Sequence, residues 1–343
     1  MPKIENGWEL EVDVNANGKV SLSEVEFQLK AGANPDTLYW TGSSILAAAV
    51  ERKNIALVEL LLKYGADPNR QSLDNSKLTA VSACDDAEIA KLLLDFGGDP
   101  RLFSDDHLGA NLFPYSTGAW KLPAQQISEQ NFLKHATPRA GKSNPEAFLP
   151  AFWREQMRTN ESGFSAAADI VGVDRAHECA PIWSFQRYGR SMTWLQDDRL
   201  IVVAGEHEDH YDADFYIYND VTVFSPEGHV EHFIYPRSEF PPTDFHSATL
   251  CGARLILIGA LGYPSDRNPD DTQVLQLNLD DFSVEKLETK GAKPGWIHSH
   301  SAEIDGSIIR ISGGKRLAPD GSRFIKLQDS EEHILDLETL TWR

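Results

Sequence analysis

The residues Asp13-Val14-Asn15-Ala16-Asn17-Gly18-Lys19-Val20-Ser21-Leu22-Ser23-Glu24 carry side-chain oxygens at the spacing a hard divalent cation requires. Asp13, Asn15 and Asn17 are the alternate donors of a tight loop, Gly18 permits the turn, and Glu24 is placed to offer both carboxylate oxygens. The cation this chemistry selects is Ca2+, bound weakly, because only two carboxylates neutralise it and Lys19 adds a positive charge beside them. The alternative role for the segment is an Asn/Gly turn that caps the helix after it. If the loop binds Ca2+, EGTA lowers the melting temperature of the purified protein; an unchanged melt rules the site out.

Other chemistry is sparser. Glu206-His207-Glu208-Asp209-His210-Tyr211-Asp212-Ala213-Asp214 is the most acidic stretch, and it contains His-x-x-His without the glutamate that a helical zinc-hydrolase motif needs. It follows a strand, so it reads as a solvated loop, with Glu206, Glu208, Asp209, Asp212 and Asp214 offered to a partner. His246 and His300 sit in equivalent repeat positions, for which a structural role is the plain reading, and His298 lies two residues away. His177-Glu178-Cys179 is adjacency without a third group. The chain has no Gly-x-Ser-x-Gly elbow, phosphate loop or dinucleotide fingerprint. Catalysis is not expected.

The chain has 343 residues with 52 Asp+Glu against 32 Lys+Arg, a formal charge of −20. That balance opposes a nucleic-acid binder, which needs cations to displace counterions from phosphate, and opposes docking on an anionic membrane. It favours a basic protein partner drawn in over long range. Three cysteines, Cys84, Cys179 and Cys251, are too few and scattered for a disulfide framework or zinc site. With no apolar signal core at Met1–Gly7 and no run long enough for a membrane span, a cytoplasmic protein is expected. The charge divides as −8 over residues 1–110, 0 over 111–180 and −12 over 181–343. Two acidic modules joined by a neutral, partly helical, Pro-containing connector are the expected organisation.

Gly32-Ala33-Asn34-Pro35, Gly65-Ala66-Asp67-Pro68 and Gly97-Gly98-Asp99-Pro100 recur at intervals of 33 and 32 residues, each after an apolar helical run. Glycine ends a helix in the left-handed conformation and a following proline prevents its restart. Shorter helices are expected ahead of the long ones, at Ser44–Val50 and Thr79–Cys84. Helix, turn, helix and Gly-rich loop at this period resemble the ankyrin repeat, with about three units within residues 1–110. The resemblance implies a helical stack that recognises protein partners through its loops. Asp36, Tyr39, Trp40, Arg70 and Asp74 are the loop residues placed to do so. The segment 13–24, just before the stack, resembles the EF-hand calcium loop, with Val20 at that family's central apolar position.

Beyond residue 180 the apolar period becomes that of strands. Gly205, Gly259 and Gly313 end three apolar strands at intervals of 54 residues, and Arg190-Ser191-Met192, His246-Ser247-Ala248 and His300-Ser301-Ala302 precede them. His-Ser-Ala, an apolar strand ending in glycine, a second strand and a late Trp342 resemble the kelch motif. The resemblance implies four-stranded antiparallel blades of a β-propeller. Three blades are fewer than closure needs, and a segment such as Ile182–Phe185 is a candidate for a missing strand. Exposed sheet edges would be covered by the connector, a partner or a second copy. Multidomain recognition modules of net charge −20 resemble bacterial immunity proteins, which neutralise basic nuclease toxins. The alternatives are an ankyrin/kelch scaffold or substrate adaptor and, third, a small propeller enzyme.

Overall fold

The computed structural model describes the chain apart from residues 1–8, 13–20, 40, 75, 104–111, 180, 209–214 and 321–322 and the side chains of 319–324. It divides into two compact units, Met1–Trp120 and Lys121–Arg343.

The first unit is helical: α1 Leu22–Lys30, α2 Ile45–Glu51, α3 Ile55–Lys63, α4 Ala87–Asp95 and the short α5 Phe113–Thr117. Side-chain caps start the middle helices. Ser44 accepts from the Ala47 amide, Asn54 from Leu57, and Asp86 from Glu88 and Ile89. Their apolar faces, including Ala47, Leu57, Leu61, Ile89 and Leu93, share one core. The loops after the helices are tied in series. The Asp36 carboxylate accepts the Asp67 amide at 2.7 Å, and the Asn69 side chain accepts the Asp99 amide at 2.7 Å.

Thr79–Cys84 is a turn rather than the expected helix. The Thr79 amide donates to Ser82 Oγ and the Ser82 amide to Thr79 Oγ1, at 2.8 and 2.9 Å. Hydroxyls that capture nearby amides compete with helical bonding.

The second unit begins with α6 Glu129–His135, β1 Glu146–Ala147, α7 Ala151–Thr159, α8 Gly163–Val171 and α9 Val173–Ala176. Three antiparallel sheets follow. The first joins β2 Ser191–Trp194, β3 Leu200–Val203, β6 Asp220–Phe224 and β7 Val230–Ile234, with β1 added outside β7. A two-stranded ribbon, β4 Glu206–His207 and β5 Tyr216–Ile217, projects between β3 and β6. The second sheet is β8 Ser247–Cys251, β9 Arg254–Ile258, β10 Val274–Asn278 and β11 Val284–Lys286. The third is β14 Ser301–Asp305, β15 Ile308–Ser312, β18 Glu332–Asp336 and β19 Thr341–Trp342, with β12 Lys290–Gly291 outside β19. β13 Ile297–His298 pairs with β16 Lys315–Asp320, which forms a hairpin with β17 Arg323–Gln328. None of these sheets closes on itself into a barrel.

The sheets stack. Ile201, Val203, Val221 and Val223 of the first share a core with Leu255, Leu257, Leu275 and Leu277 of the second. The second sheet's other face, Ile256, Ile258 and Val274, meets Ile309, Ile311 and Leu335 of the third. A strand buried on both faces needs no polar alternation, which is why β3 is continuously apolar and β9 is so from Leu255 onward. In β15, by contrast, Ile309 and Ile311 are buried while Arg310 and Ser312 are exposed, so the third sheet turns a polar face outward. The free face of the first sheet is covered by aromatics from the preceding segment. Trp153 and Trp183 stack at 4.5 Å, and both meet His232 edge-on.

The expected missing strand at Ile182–Phe185 is not one: Ile182, Trp183 and Phe185 are buried outside any strand. The fourth strand of the last sheet is Thr341–Trp342 itself, held by β18 on one side and by β12, in parallel, on the other. The segment after α6 covers outer edges. β1 pairs with β7, and the Asn144 amide group bonds both the carbonyl and the amide of Val284 in β11, at 2.7 and 2.8 Å. A paired edge no longer templates association.

Gly259 has φ 75°, and a Cβ there would lie 2.2 Å from the Ile297 carbonyl oxygen; Gly313, at φ 70°, has open space. Gly259→Ala is therefore expected to cost about 3 kcal/mol or more and Gly313→Ala about 1 kcal/mol, read from urea unfolding. Equal costs would show that the close approach of β13 to the end of β9 is not what fixes this glycine.

Candidate functional site

The groups with chemical potential collect at the end of the second unit where each sheet's second strand finishes and the next sheet's first strand begins. Backbone bonds build this end. Gly205 donates to the Thr243 carbonyl, Ala260 to Ile297 and Leu261 to Asp244, at 2.9, 3.0 and 3.1 Å. The residues entering the three first strands, Gly189, Phe245 and Ser299, all adopt left-handed φ of 61, 49 and 57°. The Phe245 amide donates to the Gly189 carbonyl and the Ser299 amide to the Phe245 carbonyl, each at 2.7 Å. Beside this relay, Ser191 Oγ bonds His246 Nε2 at 2.7 Å and Ser247 Oγ bonds His300 Nε2 at 2.9 Å.

A serine hydroxyl against an imidazole is the geometry of a nucleophile with its base. Among the described residues these pairs lack the orienting carboxylate, and Nδ1 of His246 and of His300 is buried without a hydrogen bond. The same pair recurs one repeat later, which identifies it as a joint between sheets. Burial drives the His246 pKa down to about 3 and those of His298 and His300 down to about 4, so all three are neutral at pH 7.

Two carboxyl groups stand apart from the imidazoles. Asp244 is fully buried; its Oδ1 accepts from the Gly262 amide at 2.7 Å. Glu206, half-buried on β4, lies beside it. Burial first, then the Asp244 charge and a hydrogen bond to it, raise the Glu206 pKa to about 7; burial also raises that of Asp244. Two interacting carboxylates disfavour ionising together. Lys326 of β17 partly offsets the effect at Glu206, and Arg267 at Asp244.

A second ionic cluster is structural. Arg187 binds Asp220 through two nitrogens at 2.6 and 2.9 Å and lies 3.4 Å from the Tyr218 ring centre, and neither side chain of the pair is more than 5% exposed. Removing one partner of such a pair leaves a buried charge, at a cost of about 3–5 kcal/mol.

The structure disperses the residues singled out in the sequence. Asp36 ties its loop to the next one, as described above. Tyr39 donates from its hydroxyl to the Val12 carbonyl at 2.9 Å and packs on the helical core. Arg70 is half-buried, and the exposed Asp74 holds its own turn by accepting from Ser72 and Ser76. Glu24 is exposed in the first turn of α1. Glu208 is exposed, whereas Glu206 is half-buried and feels the Asp244 charge. Asp13, Asn15, Asn17, Lys19, Trp40, Asp209, Asp212 and Asp214 lie outside the described residues. His207 bonds the Gln186 carbonyl through Nδ1 at 2.7 Å, and His210 lies outside the described residues. Among the described residues no group of three or more His, Cys, Asp or Glu is arranged to hold a metal ion. Asp244 escaped the sequence reading, although the 54-residue period aligns it with His298 and would have marked the position.

The ankyrin-repeat family model matches residues 41–73, the α2–α3 pair and the loop after it. No curated protein matches the chain. No described helix is long and apolar enough to cross a membrane. An ankyrin repeat is a recognition unit, so the match supports a role in protein–protein interaction.

The carboxyl pair and the imidazoles give opposite pH dependences. A carboxyl whose pKa folding raises stabilises fully below its unfolded value, near 4.5, and the contribution is lost as pH rises through about 7. Imidazoles whose pKa folding lowers stabilise fully above about 6.5, and theirs is lost as pH falls toward 4. Glu206→Gln removes only the first effect. Its melting temperature relative to wild type is expected to climb between about pH 4.5 and 8, by the equivalent of roughly 1–2 kcal/mol; a flat difference would refute the pairing with Asp244.

Proposed function

We propose that this is a non-enzymatic protein-binding protein that captures a basic partner, best described as an immunity protein neutralising a nuclease-type toxin. The observation that carries the reading is the conjunction of an ankyrin repeat at residues 41–73 with a net charge of −20. The repeat supplies a protein-recognition scaffold. The charge supplies long-range attraction for a cationic surface and repels nucleic acid, so an acidic surface can occupy the path that phosphates would take. The exposed Glu208 belongs to that surface.

In this reading the second unit is a partial, kelch-like propeller. Support comes from the 54-residue period, the four-stranded antiparallel sheets, and the first strands β2, β8 and β14 joined through equivalent Ser–His bonds. The competing scaffold reading uses the same modules with a partner of any charge; the third reading is a small enzyme built on the propeller. Bound Ca2+ at 13–24 and a cytoplasmic location remain part of the proposal.

Affinity capture from the native host, with mass spectrometry, tests it. The expected partner is a basic protein whose association rate falls about tenfold or more between about 50 and 500 mM salt. A neutral or acidic partner, or salt-indifferent capture, would replace the immunity reading with the scaffold one.

A further inference from the structure

The hairpin β16–β17 reverses the electrostatics of the molecule. Residues 315–328 contain Lys315, Arg316, Arg323 and Lys326 against the single acid Asp320, within a chain of net charge −20. The hairpin lies between β15 and β18, the place that the acidic ribbon β4–β5 takes in the first sheet.

Its outer strand is a free edge. In the order β13-β16-β17, β17 is last, and its residues 325–328 are all exposed. Among the described residues no backbone group outside β16 bonds to the backbone of Ile325, Lys326 or Leu327. Alternate residues of such a strand turn both N–H and C=O toward the open side. The two faces of the hairpin differ. Leu317 is buried with Ala260 and Trp296 and anchors one face, which it shares with its pair Lys326. Ile325 and Leu327 emerge on the other, each 41% exposed, opposite Ala318 and Arg316.

We propose that the β17 edge is a docking site for an extended, acidic and apolar segment of a protein partner, which adds to the hairpin as a further strand. Main-chain bonds would hold the segment, as in strand addition generally, and alternate side chains would set its specificity. Apolar residues of the added strand would cover Ile325 and Leu327, and the alternate acidic ones would lie on the face of Lys326. The charge argues against a second copy of this chain. Pairing two β17 edges would bring the Lys326 side chains of the two copies toward each other, and like charges across strands destabilise pairing. A lone lysine on an exposed edge is a guard against neutral strands that an acidic strand turns to advantage. The β17 edge would take acidic segments and the acidic surface of the proposed function a basic partner, so the two ideas fail separately.

The test uses the full chain, isotopically labelled, with short blocked peptides of alternating Glu and Val or alternating Lys and Val. The Glu–Val peptide is expected to bind about tenfold tighter than the Lys–Val peptide and to shift the amide resonances of residues 323–328. Lys326→Glu should invert the preference, and Ile325→Lys should abolish binding with the melting temperature unchanged. Binding of neither peptide, equal binding of both, or shifts confined elsewhere would overturn the proposal. A doubled solution mass that Ile325→Lys restores to the monomer would overturn it in favour of a second copy. The shift map on the unaltered chain decides the matter even if a variant fails to fold.

Discussion

The β unit depends on a single repeated constraint, the left-handed turn that launches the first strand of each sheet. Gly189, Phe245 and Ser299 share that backbone conformation although only the first is glycine. A left-handed non-glycine residue costs about 1–2 kcal/mol. The cost is offset because the turn aims each amide at the carbonyl one repeat earlier, at 2.7 Å. The Ser–His bonds then fix the same three strands through their side chains. Sheets that would otherwise meet only through greasy faces acquire a defined spacing and rotation. The carboxyl pair and the closing loops inherit their positions from that register.

Placing imidazoles in such a joint explains their chemistry. A histidine held between sheets must be neutral, since burial penalises its charged form. It then serves as a small aromatic that also accepts or donates one hydrogen bond. His232, pushed down to about 4 by burial, plays a related part under the Trp153–Trp183 stack, bonding Thr222 at 2.8 Å. Cys84, raised to about 11 by burial in the helical unit, is likewise inert.

Much of this was legible in the sequence because the relevant physics is periodic. The Gly-Ala-Asx-Pro loops gave the helical stack, and the spacing of Gly205, Gly259 and Gly313 located the three apolar strands. Local competition was not legible. Thr79 and Ser82 trap each other's amides in a stretch whose composition suits a helix. Long-range pairings were hidden for a different reason: Asn144 and Val284, or Arg187 and Asp220, carry no spacing rule that links them. The acidic stretch 206–214 was visible as charge, but Glu206 feels the charge of a carboxylate that composition alone does not reveal.

The alternation in β15 has an evolutionary corollary. The second sheet presents two apolar faces and the third only one. Duplicating the middle sheet in place would lengthen the array with every new interface still apolar on both sides. Appending a copy after the third would press greasy side chains onto Arg310 and Ser312. A further apolar sheet therefore fits more readily beside the second sheet than against the polar face of the third.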